Sequence, residues 1–173
     1  MSFPPQNQMP QSPMTDPKLA VRTMQIICAA LMLGVLMFAG IAVFQRLGQP
    51  AAARPMIAYI GIGMAAMMIV TRLVFVPFIV RDGIKQVVGT RPIEDLTKLD
   101  FYRVYQTQMI VACALCEGAA FFNLISYIIE GQLWSLAIVA GLLAIMAMAF
   151  PTMERVDSWA DEQLRLTRLS PPN

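Results

Sequence analysis

A chain of 173 residues that is 57% apolar and 14% charged, with mean hydropathy +0.60, holds more apolar side chain than a soluble domain of its size can bury. Its net charge of +2, with basic and acidic residues interleaved, excludes an electrostatic nucleic-acid binder. Histidine is absent, which removes the commonest metal ligand and acid–base catalyst, so neither a cofactor nor an enzymatic activity is expected.

Residues 1–21 form a Pro- and Gln-rich tail, with Pro4, Pro5, Pro10, Pro13 and Pro17 among polar residues; it is expected to be disordered and cytoplasmic. Four apolar blocks follow, at about 24–44, 56–80, 109–129 and 133–150, each near the ~20 residues that cross a bilayer core of ~30 Å. The expected fold is an all-α integral membrane protein with a four-helix transmembrane domain over residues 22–151. A cleaved signal peptide is the rival reading of the first block, because Ala51, Ala52 and Ala53 follow it; the block exceeds the ~7–15 residues of a signal core.

Of thirteen Lys and Arg residues, ten fall before the first apolar block, in the 81–106 connection or in the C-terminal tail, and only Arg46 and Arg54 fall on the other side. Arg72 lies inside the second block. This bias predicts both termini in the cytoplasm. The 81–106 connection places Ile84, Val87, Val88, Ile93, Leu96 and Leu99 at roughly helical spacing, predicting one or two short surface helices. In the tail, 152–173, Met153, Val156, Ala160 and Leu164 share a face with Trp159 beside them. That pattern predicts an amphipathic helix at the inner membrane surface, either anchoring the bundle or docking a partner.

Small residues at four-residue spacing mark expected helix contacts: Ala30 and Gly34; Gly61 and Ala65; Ala112, Cys116 and Ala120; Ala137 and Gly141. Cys113 and Cys116 form a CxxC, read as packing rather than as a redox pair, because no basic neighbour in sequence would favour a thiolate at this depth. Cys28 occupies an apolar position. No Gly-rich phosphate loop, GxSxG elbow or pair of intramembrane carboxylates is present.

Arg72 and Glu117 are the ionisable residues within the blocks, and such residues are functional candidates because an unpaired charge there costs several kcal/mol. Counting from the cytoplasmic ends places them ~14 Å and ~16 Å deep. The matching depths suggest a charge-assisted pair across neighbouring helices. The alternative has Arg72 snorkelling to the headgroups. Glu117 either exchanges a proton or locks helices together. Glu130, beside Gly131 and Gln132, reads as a solvated loop acid.

The segment TQMIVACALCEGAAFFNLI from Thr107 resembles the carboxylate helix of the rotary ATPase proteolipid, the c or K subunit. GIGMA from Gly61 and the Arg91-Pro92 pair match that family's small-residue helix and polar loop. This resemblance implies Glu117 as a proton- or ion-binding carboxylate, with Arg72 as a partner the family pattern lacks. The segment ALCEGAAFF, with Pro151-Thr152 at the end of the fourth block, is also similar to small uncharacterised bacterial four-helix membrane proteins carrying ALxEGxAFF. That likeness fits the whole length better than the proteolipid's does and implies a bacterial inner membrane location, but no activity.

The expected function is therefore a non-catalytic structural or accessory subunit. Its expected partners are the lipid bilayer, further copies of itself or other membrane subunits, and no nucleic acid. A proteolipid-like proton or ion handler is the alternative, and a membrane enzyme is the third class.

Overall fold

The computed structural model describes residues 16–90 and 92–169; residues 1–15, Arg91 and 170–173, including most of the expected disordered tail, lie outside the described residues. The described residues form five α-helices: α1 (Pro17–Arg46), α2 (Met56–Thr90), α3 (Lys98–Glu130), α4 (Leu133–Met148) and α5 (Met153–Leu169). A 3-10 turn at Ile93–Asp95 separates α2 from α3.

α1 starts earlier than the apolar block. The Asp16 carboxylate accepts the Lys18 backbone N–H at 2.9 Å, and Pro17 has its ring already set to a helical φ, an effective start signal. Residues 17–21, assigned above to a disordered tail, are thus helical, with Ala20 and Val21 buried.

α2 continues without a break through residue 90, so the separate surface helices expected after residue 81 do not form. Nothing between Arg81 and Thr90 stops a helix, whereas Pro92 does. α3 then opens at a capping box, in which the Asp100 carboxylate accepts the Thr97 N–H at 3.1 Å and the Thr97 hydroxyl at 2.9 Å. With 35 and 33 residues, α2 and α3 each run about 50 Å, some 20 Å more than a bilayer core needs.

α3 is the central element, packed against every other α-helix. Half of its apolar window is buried, against 17% for α1 and 6% for α2. Met24, Cys28 and Val35 from α1, and Val139, Leu142 and Met146 from α4, form the core around Cys113, Ala120 and Leu124.

Among the described residues three helices, α1, α2 and α3, are long and apolar enough to cross a membrane. α4 has only 16 residues, about 24 Å, and bends by 65° into α5; a fourth span exists only if that bent pair counts as one. The bend follows from Pro151, which cannot continue a helix. It is held by two long-reaching polar contacts: Arg155 Nη1 donates to the Met148 carbonyl at 2.7 Å, and Gln25 Nε2 of α1 donates to the Pro151 carbonyl at 3.0 Å.

α5 lies on the N-terminal part of α3. Val156 and Ala160 are buried there, Leu164 packs on the core, and Trp159 meets Tyr105 edge-on at 5.3 Å. Most of the apolar face expected to lie on the membrane is therefore occupied by α3, because α3 extends far enough to offer a surface; Met153 stays exposed. Polar contacts fix the register: the Tyr102 hydroxyl donates to Asp157 at 2.8 Å and Lys98 bridges Asp161 at 2.7 Å. Tyr102→Phe is expected to cost about 1 kcal/mol and to speed proteolysis within α5, measured as the rate of limited trypsin cleavage against the wild type.

Candidate functional site

Arg72 and Glu117 do not pair. One residue on a helix turns the side chain by about 100°, and that step separates the two faces of α3 used here. Cys116 faces α2, where it accepts a hydrogen bond from Arg72 Nη1 at 3.3 Å. Glu117, half-buried, turns instead toward α1, and a Cβ placed on Gly34 would lie 3.8 Å from its Oε1. Among the described residues no carboxylate comes within 4 Å of Arg72. Equal depth placed them on one level without placing them on one interface. The Arg72 guanidinium lies at the level of Cys116.

The carboxylate with the strongest polar contacts is Glu130, which sequence reasoning left as a solvated acid. It is 5% exposed, and its two oxygens accept the backbone N–H groups of Ile57 and Ala58 at 2.7 Å each. These are orphan donors at the first turn of α2, so Glu130 caps that helix from across the bundle. Its own backbone carbonyl accepts from Ala52 N–H at 2.7 Å, tying down the α1–α2 connection. A sequence signal existed: no Ser, Thr, Asp or Asn precedes α2 in PAAARPM, and Glu130 is the lone acid at that end of the bundle.

Asn123 also escaped the sequence reading. Fully buried, it donates from Nδ2 to the Gly61 carbonyl at 3.1 Å and to Ala119 at 2.9 Å, joining α2 to α3. Gly61 permits that approach, for a Cβ there would lie 2.6 Å from Asn123 Oδ1. Of the other small residues, Ala65, Ala112, Cys116 and Ala120 are buried, and Gly34 abuts Glu117. Gly141 differs. It is exposed, with nothing within 4 Å of its Cβ position, because α4 turns Val139, Leu142 and Met146 toward α3 instead. Ala30 and Ala137 are likewise exposed.

The cysteines of the CxxC meet different helices. Cys113 Sγ lies 3.8 Å from Cys28 Sγ of α1, so Cys28 is more than an apolar filler, while Cys116 serves Arg72. All three thiols are free and buried. Oxidation with membrane-permeant iodine is expected to cross-link Cys28 to Cys113. Peptide mapping should show the link lost in Cys113→Ser and kept in Cys116→Ser; the reverse pattern would contradict this packing. Among the described residues no group of three or more His, Cys, Asp or Glu could hold a metal ion.

Geometry thus defines an all-helical bundle with three to four helices able to cross a membrane, knit by buried polar side chains from α3. Comparison with protein-family models, curated proteins and solved structures returned no match.

Proposed function

We propose that the chain is a non-catalytic structural or accessory subunit of a membrane assembly, with both termini on the cytoplasmic side of a bacterial inner membrane. The observation that carries this reading is where three buried or part-buried polar side chains go. Glu130, Asn123 and Gln25 each bond the backbone of another helix or of a helix connection, an arrangement that holds a bundle together. Topology rests on the basic residues, which gather at the end of the bundle holding Lys18, Arg81, Lys98 and Arg155. The exposed apolar faces of α1 and α2 suit lipid, a second copy or another membrane subunit.

One observation favours a second reading, a proteolipid-like proton or ion handler: Glu117 is half-buried against Gly34, with no Lys or Arg within 4 Å among the described residues. Dicyclohexylcarbodiimide attacks protonated carboxyls in apolar surroundings and separates the two readings. For a structural role, mass spectrometry of the treated protein is expected to find Glu117 unmodified between pH 6 and 9. Modification that is strong at pH 6 and suppressed at pH 9 would overturn the structural reading in favour of proton exchange.

A further inference from the structure

Along the α2–α4 boundary the helices leave an apolar groove of about 300 Å³, lined by Ile62, Ala65 and Ile69 of α2 and by Ile138, Gly141 and Ile145 of α4. One helical turn further along the same faces come Arg72, three residues beyond Ile69, and Ala149, four beyond Ile145. These two residues line a second cleft of about 160 Å³, together with Arg155, Tyr105 and Gln108. Groove and cleft thus succeed one another along α2 and the end of α4, apolar first and cationic after, with α3 forming most of the cleft's remaining wall.

The cationic part is uncompensated. Arg72 has five N–H donors and a single hydrogen-bond partner, a thiol, which is a weak acceptor. Arg155 uses one nitrogen on the Met148 carbonyl, leaving the rest of its fork open. No Asp or Glu lines the cleft, and neither arginine has a carboxylate within 4 Å among the described residues. A guanidinium beside apolar helices with so few acceptors is unfavourable unless an anion reaches it. Guanidinium groups bind phosphate by paired N–H···O contacts.

We propose that this boundary holds one glycerophospholipid with an anionic headgroup, its phosphate at Arg72 and Arg155 and an acyl chain along the α2–α4 groove. Charge complementarity selects an anion, and continuity with the apolar groove selects a lipid over free phosphate. The location also suits a lipid, because the cleft lies at the end of α4 beside the bend into α5, next to helices apolar enough to cross a membrane. This inference requires only that the chain is membrane-embedded, so it stands or falls separately from the structural role proposed above.

The full-length protein, purified in a neutral detergent, would be titrated by native mass spectrometry with dioleoyl phosphatidylglycerol, and separately with dioleoyl phosphatidylcholine. The anionic lipid is expected to bind about tenfold more tightly. Arg72→Gln should abolish that preference. Because Arg155 also caps α4, Gly141→Leu provides the second test: its side chain enters open space, leaving the bundle intact while filling the groove. Both lipids should then bind several-fold more weakly. Equal binding of the two lipids by the wild type, a preference unchanged in Arg72→Gln, or undiminished binding by Gly141→Leu would overturn the proposal. Displacement of the anionic lipid by millimolar inorganic phosphate would do so too, by showing that the acyl chain contributes nothing.

Discussion

Glu130→Ala is expected to destabilise the bundle by about 4 kcal/mol, the largest effect of any single truncation outside the apolar core. Two charge-assisted hydrogen bonds of 2.7 Å are lost, each worth roughly 1.5–3 kcal/mol. The Ile57 and Ala58 N–H groups are left without an acceptor in a place where water is scarce. The favourable placement of a negative charge at the positive end of α2 is lost as well. Glu130→Gln keeps one acceptor oxygen and most of the packing, so about half the loss is expected. Equilibrium unfolding of the purified protein in mixed detergent would measure both. A Glu130→Ala variant within 1 kcal/mol of the wild type would mean that the cap does not hold α2.

Gly61→Ala should be the next most damaging, at about 2–3 kcal/mol. A methyl group at that position overlaps Asn123 Oδ1, and Asn123 is fully buried between helices that cannot separate without opening the core. Either Asn123 abandons the Gly61 carbonyl, leaving two polar groups unpaired, or α2 shifts away from α3. Gly63→Ala is the matched control: on the same helix with nothing within 4 Å, it should be neutral or slightly stabilising. The cause can be isolated by a double-mutant cycle. Asn123→Ala removes the obstacle, so adding Gly61→Ala to it should cost far less than it does in the wild-type background. Additive losses would point to something other than this contact.

Both effects arise where the sequence was least informative. Glu130 stands beside Gly131 and Gln132, a context that reads as a loop, and its role depends on α2 beginning 2.7 Å away after a turn that no local pattern describes. Asn123 lies six residues beyond Glu117 in a strongly apolar helix, where the charged residue draws attention first. Conversely, the depth argument for Arg72 and Glu117 gave the right level and the wrong face. Depth is set by 1.5 Å per residue along one helix, whereas facing is set by how two helices are rotated against each other.

Small residues show the same division. The stripes on α2 and α3 are buried because those helices form the tightest pair, but an equal stripe on α4 faces outward, with Gly141 opening onto the groove. Spacing alone treated the stripes alike. Only the rotation of α4, driven by Val139, Leu142 and Met146 seeking the core, told them apart.

By itself, then, the sequence determined that the chain is all-helical, that several helices can cross a membrane, and that charge gathers at one end. These properties follow from local composition and from the bilayer's demand that backbone groups bond within their own helix. The tertiary structure decided that α3 is the centre, that α5 folds back onto it, that Glu130 caps α2, and that Arg72 opens toward a cleft rather than toward Glu117. Those outcomes depend on helix rotation and on contacts between residues 44 to 126 positions apart, and one-dimensional periodicity carries no such information.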